Sequence, residues 1–183
     1  RNNIINSISS FKYFFPVRGN GCFNYIGFEK NRIYAPNSPN GVYFTDTNGS
    51  TSNYGIFANN FISIGGSVSN SDIAALKLNY CGYMDIIYNS IYLNSPAYSY
   101  SFALHLNYPN SVNVRNNILF NSSDGYAYYV YSPDRMGASD FNVLFTTGKL
   151  IAYWSMSLGT LQELQSFSGK DQNSVYINPN FNS

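Results

Sequence analysis

Charge is scarce in this chain. Asp, Glu, Lys and Arg make up only 10% of its 183 residues, and the net charge is +1 at neutral pH. The Lys and Arg residues are scattered rather than grouped, so the basic footprint that a nucleic-acid backbone demands is missing and no nucleic acid is expected as a partner. Two cysteines are too few for a disulfide framework, and no Cys/His cluster carries zinc spacing. No acidic cluster offers the oxygen cage that calcium needs, so neither a metal nor another cofactor is expected. The longest apolar runs fall short of the roughly 18 residues that signal a membrane helix. An initiator Met, a signal peptide and a targeting motif are likewise absent. Arg1 enters in the middle of the repeat described next, and the chain reads as a fragment of a larger protein. A sustained 3.6-residue period is also missing, which excludes the helical solenoids.

Asparagine is abundant, and it recurs. The lines Arg1-Asn2-Asn3-Ile4, Lys30-Asn31-Arg32-Ile33, Ala58-Asn59-Asn60-Phe61, Tyr88-Asn89-Ser90-Ile91, Arg115-Asn116-Asn117-Ile118 and Asp140-Phe141-Asn142-Val143 align. Their apolar positions are separated by 29, 28, 30, 27 and 25 residues. A period in that range marks a solenoid, whose units bury their apolar faces only by stacking on one another. Asn suits a stacked column, because its amide donates to one copy, accepts from another and tolerates a left-handed corner. Short alternating runs rich in β-branched and aromatic residues, such as Val42-Tyr43-Phe44 and Leu104-His105-Leu106, are strand signals. Two or three strands per 25–30 residues predict an all-β, right-handed parallel β-helix of about six coils. The register predicts Asn2, Asn31, Asn59, Asn89 and Asn116 in one column, and Ile4, Ile33, Phe61, Ile91, Ile118 and Val143 inside the core. Cys22 and Cys81 fall at equivalent places two coils apart. At roughly 4.8 Å per coil that is too far for a disulfide, and two buried free thiols are expected.

Residues 1–150 read as coils, and residues 151–183 as a cap belonging to the same domain. Thr160 with Glu163 three residues on is a capping box, Leu164 and Phe167 share a face, and Gly169 follows the end. These predict a two-turn helix laid over the open end of the core. Among the coils, Gly41–Thr45, Ala75–Asn79, Ala103–Asn107 and Ala127–Tyr131 stack in sequence. With the Val42/Leu76/Leu104/Tyr128 and Phe44/Leu78/Leu106/Val130 columns pointing inward, Tyr43, Lys77, His105 and Tyr129 face out. Asn79 and Asn107 lie beside them, with Thr45 and Tyr131 in the same row. A strip of aromatic rings, amides and cationic groups suits a polysaccharide, whose rings stack on Tyr and whose hydroxyls take amide hydrogen bonds. An ordinary solvated sheet face is the competing reading. A second outward column runs through Arg1, Lys30, Ala58, Tyr88, Arg115 and Asp140, the last two placed to form a surface ion pair.

The repeat architecture resembles the right-handed parallel β-helix proteins of the pectate-lyase-like superfamily. The tail adds to this. Ala152-Tyr153-Trp154, Gly169–Val175 and Asn178-Pro179-Asn180-Phe181 resemble the closing segment of such domains in large secreted bacterial proteins, with Asn178 where those have Asp. The resemblance implies a protein that is extracellular or at the cell surface, and it brings polysaccharide hydrolases and lyases into view. A hydrolase needs two close carboxylates, whereas Asp46, Asp72, Asp85, Asp124, Asp134 and Asp140 occupy different coil positions. A lyase needs a base and an acid, which Lys77 and His105 on neighbouring coils would supply. The expected function is therefore a non-catalytic module, adhesive, structural or glycan-binding, with a polysaccharide lyase as the alternative. Self-association through open coil ends is a further candidate partnership.

Overall fold

The computed structural model describes residues 1–7, 15–66, 72–96 and 98–181. Its strands come in threes, as the repeat predicts. The first turn holds β1 (Ile4–Asn6), β2 (Val17–Asn20) and β3 (Gly27–Glu29); the second β4 (Arg32–Ala35), β5 (Asn40–Thr45) and β6 (Gly55–Ala58). The third holds β7 (Phe61–Ile64), β8 (Ile73–Asn79) and β9 (Gly82–Ile87); the fourth β10 (Ser90–Leu93), β11 (Ser101–Asn107) and β12 (Asn110–Arg115). The fifth holds β13 (Ile118–Asn121), β14 (Tyr126–Tyr131) and β15 (Ser139–Asp140). A sixth begins with β16 (Val143–Thr146) and β17 (Ala152–Trp154), and then breaks the pattern: β18 (Ser157–Leu158) turns back antiparallel on β17. The chain is thus a parallel β-solenoid of about five turns, rather than six, with one short helix after it. Three sheets result: sheet A (β1-β4-β7-β10-β13-β16), sheet B (β2-β5-β8-β11-β14-β17-β18) and sheet C (β3-β6-β9-β12-β15).

The asparagine column is real, with Asn31 and Asn89 in their predicted places, but at the other turns it runs through the residue after the predicted one. The stacked residues are Asn3, Asn31, Asn60, Asn89, Asn117 and Asn142. In each pair the backbone N–H and the Nδ2 of one Asn both donate to Oδ1 of the next, at 2.9–3.2 Å. Asn2, Asn59 and Asn116 sit one residue earlier, in a left-handed corner (φ 59°, 55° and 56°) that they share with Lys30, Tyr88 and Phe141. The corner favours Asn, but the amide that carries the ladder belongs to the following residue. Aligning on the first Asn of each pair therefore slips the register by one, and a one-residue slip swaps the faces of a strand. The inward column of sheet A is accordingly Ile5, Ile33, Ile62, Ile91, Leu119 and Leu144. Ile33 and Ile91 hold their predicted core places, whereas Ile4 is 72% exposed, and Phe61, Ile118 and Val143 face outward, half-buried.

The inward columns of sheet B match the prediction, Val42-Leu76-Leu104-Tyr128 and Phe44-Leu78-Leu106-Val130. Ahead of them runs a column of small residues, Gly41, Ala75, Ala103 and Ala127. Here adjacent turns come so close that a Cβ on Gly41 would collide with the Ala75 carbonyl oxygen. The C-terminal end is closed by α1 (Leu161–Ser168), with the full capping box at Thr160 and Glu163 and with Gly169 left-handed (φ 67°) at its end. Leu161 and Leu164 face the core beside Leu158 and Trp154, while Phe167 is 55% exposed, so the helix presents Leu161 rather than Phe167 with Leu164. The ladder ends at Asp171, which is fully buried: its carboxylate accepts from Asn142 Nδ2 (2.9 Å), Ser139 Oγ (2.7 Å) and Ser174 Oγ (2.6 Å). An acceptor-only group is a natural stop for a column that passes donors along. Cys22 and Cys81 are both free, with Thr47 on the turn between them, although Cys22 is exposed rather than buried. Arg115 and Asp140 are register partners, but the Asp140 carboxylate is taken by the backbone N–H and the side-chain amide of Asn173 (2.7 and 2.8 Å).

Candidate functional site

On the outer face of sheet B the pairing sets one side chain per turn in a column: Arg18, Tyr43, Lys77, His105, Tyr129 and Tyr153. A second column holds Thr45, Asn79, Asn107 and Tyr131. The alternation of the strands therefore brings together all six predicted residues, Tyr43, Lys77, Asn79, His105, Asn107 and Tyr129. Their environments differ. The Tyr43 ring is stacked by Phe15 (centroids 5.0 Å apart), with the Arg18 guanidinium 5.6 Å from its centre. Lys77 Nζ is paired with Asp72 Oδ2 at 3.1 Å. Asn79 and Asn107 are half-buried at the edge of the face. Tyr129 stacks on Tyr153 at 4.4 Å, nearly parallel, and packs against Tyr126 and Phe102.

His105 lies under this surface rather than on it. It is 4% exposed, with the ring of Phe102 at 4.6 Å and that of Tyr129 at 4.8 Å, and neither ring nitrogen meets a well-aligned hydrogen-bond partner among the described residues. Burial, and then the neighbouring Lys77 ammonium, pull its pKa down to about 3. The imidazole is therefore neutral across the physiological range and has no proton to give as a general acid. Tyr129 is pushed the other way, to about 12, by burial and by Tyr153, so its phenol stays protonated and is available as a donor. The face is thus an aromatic platform with amides at its edge, its cationic groups set against a carboxylate (Lys77) or a ring (Arg18).

The sequence reading missed four neighbours of this face. Tyr153 extends the column, and its signal was the run Ile151-Ala152-Tyr153, which repeats the pattern Ala127-Tyr128-Tyr129. Phe102 sits outward one step before the aligned block. Tyr80 and Tyr108 occupy the corner after sheet B, stacked at 4.8 Å with their planes 2° apart, and Tyr131 meets Tyr108 edge-on at 5.2 Å. These three are 52%, 42% and 40% exposed. Tyr80 and Tyr108 hold left-handed backbones (φ 51° and 49°), a conformation that propensity does not predict for Tyr.

Among the described residues no group of three His, Cys, Asp or Glu side chains gathers to hold a metal ion, and no helix is long and apolar enough to cross a membrane. Compared with protein-family models, curated proteins and solved structures, the chain finds no match.

Proposed function

We propose that this chain is a non-catalytic β-solenoid module that binds a glycan along the outer face of sheet B. The observation that carries the reading is the ladder of rings there, Tyr43, Tyr129 and Tyr153, flanked by Asn79 and Asn107 and by the exposed Tyr80–Tyr108 corner. Strands roughly 4.8 Å apart let a sugar chain cross several turns while staying in contact with one flat surface. Rings present apolar faces to sugar C–H groups, and the amides answer the hydroxyls. On this reading the protein works outside the cell or at its surface, in adhesion or as a structural spacer. The rhythm of its coils and its closing segment favour kinship with the pectate-lyase-like superfamily and a secreted bacterial parent.

Lys77 and His105 would be the base and acid of a lyase. The ion pair of Lys77 with Asp72 and the neutral, buried state of His105 favour binding without catalysis. The test is retention of the native chain on a panel of immobilised polysaccharides, compared with a Tyr43→Ala/Tyr129→Ala variant. Loss of retention in the variant is expected, and equal retention removes this face from consideration. Uronate polymers incubated with the chain should gain no ultraviolet absorbance from new double bonds. A gain that Lys77→Ala abolishes would put the lyase reading first. Partnership with a second copy through the open ends of the stack is read separately, by sedimentation.

A further inference from the structure

With the corrected register, the outer face of sheet A carries an aromatic column of its own. Three residues after each ladder Asn stand Asn6, Tyr34, Ser63, Tyr92, Phe120 and Phe145, paired turn by turn. Tyr92 stacks on Phe120 at 4.9 Å, and Phe120 meets Phe145 at 5.2 Å. The C-terminal segment runs over this end of the column, with Tyr176 on Phe145 (5.2 Å) and Phe181 against Phe61, Tyr92 and Phe120 (5.6–6.1 Å). At Ser63 the column lacks a ring. Tyr34 beyond it is 48% exposed and makes no ring contact among the described residues.

The gap has the dimensions of one ring. Ser63 is the direct register partner of both Tyr34 and Tyr92, so their strands lie two spacings apart, roughly 9.6 Å. A ring in the middle would lie about 4.8 Å from each neighbour, the separation at which Tyr80 and Tyr108 stack (4.8 Å). The groove there encloses about 510 Å³, within the range of small-ligand sites. Its floor is the Ser63 hydroxyl, which makes no hydrogen bond among the described residues although the residue is only 9% exposed. Asn6 and Asn94 stand at its polar rim with Arg32, whose guanidinium lies 5.8 Å from the Phe61 ring centre and whose charge no carboxylate among the described residues meets.

We propose that this slot binds a single hexose ring of a glycan, its flat C–H faces between Tyr34 and Tyr92 and its hydroxyls on Ser63, Asn94 and Arg32. An aromatic ligand would fit the walls but leave the Ser63 hydroxyl at the floor without a partner, whereas the Asn94 amide oxygen already accepts from Ser122 Oγ at 3.0 Å. A pyranose answers both walls and floor. The inference rests on the glycan reading above and adds a second site, on a different sheet, with a defined subsite size.

The test uses the full chain in native affinity gels, each containing one polysaccharide: xylan, mannan, dextran, laminarin or alginate. At least one should retard the protein. Tyr34→Ala, which removes one wall, and Ser63→Tyr, which fills the gap, should each weaken retardation about fivefold to tenfold, as loss of an aromatic stacking face does. Ser63→Ala, which keeps the space but loses the floor hydroxyl, should weaken it about threefold. It also decides the matter if Ser63→Tyr does not fold. Retardation that survives the Tyr34 and Ser63 variants but is lost in Tyr43→Ala/Tyr129→Ala overturns the slot and leaves the face on sheet B standing. Retardation by none of the polysaccharides overturns both. Release of the bound protein by free tyrosine amide rather than by monosaccharide assigns the slot to aromatic ligands and overturns the proposal.

Discussion

Acidification should weaken the fold through His105. Its imidazole is 4% exposed, meets no well-aligned hydrogen-bond partner among the described residues and titrates near 3 in the folded chain, against an ordinary value of 6.5. Below pH 6.5 the unfolded chain takes up a proton that the folded chain refuses, so stability falls as the pH falls, and it continues to fall until the pH nears 3. The contribution is fully present above 6.5. Each pH unit in the window costs about 1.4 kcal/mol, which gives a loss of about 2 kcal/mol between pH 7.5 and pH 5. For a domain of this size that corresponds to a melting temperature lower by about 4–8 °C. Lys77 and Asp72 are the charged groups nearest the ring, and Lys77 adds to the depression. The buried Asp171 acts in the opposite sense: burial raises its pKa, so protonation in acid favours the folded state. A His105→Phe variant isolates the term, because Asp171 is common to both proteins. Urea unfolding at pH 7.5, 6 and 5 should show the native chain losing about 2 kcal/mol more than the variant does. Parallel pH profiles for the two proteins would refute the reasoning and mean that the imidazole exchanges its proton with solvent in the folded state.

Asn89→Ala should cost about 3–5 kcal/mol, since it strips the acceptor from the buried N–H and Nδ2 of Asn60 and the donor from Phe57 O, Ile87 O and Asn117 Oδ1, whereas Asn3→Ala at the exposed end should cost under about 1 kcal/mol; urea midpoints compare the two. In Glu163→Ala the N–H groups of Gly159 and Thr160 lose their carboxylate, and the expected destabilisation is about 1 kcal/mol, read by thermal melting. Iodoacetamide at pH 8 should add one label to the native chain, on exposed Cys22, because Cys81 is 1% exposed and burial pushes its thiol up to about 11. Mass spectrometry should then find two labels after unfolding, and a second label on the native chain would contradict the burial of Cys81.

The period of the asparagine lines and the alternation of the strands determined the architecture without coordinates. A unit of 25–30 residues made of short alternating runs has no way to bury its apolar side except by stacking in parallel, and the sheet B columns follow from that alternation alone. The capping box at Thr160 and Glu163 was equally local, hence legible, and the outward row Tyr43, Lys77, His105 and Tyr129 came from the same period of two. Tertiary structure decided the rest. Which Asn of each pair joins the ladder depends on the corner it must turn, and Asn2, Asn59 and Asn116 turn it while their neighbours stack. Whether an outward side chain meets solvent depends on rings that arrive from other turns, and Phe102 and Tyr129 bury His105 although its strand points it outward. The gap at Ser63 becomes a slot only because Tyr34 and Tyr92, 29 residues away on either side in sequence, are held one strand apart from it. Local pattern sets the direction of each side chain, and packing between turns sets what it meets.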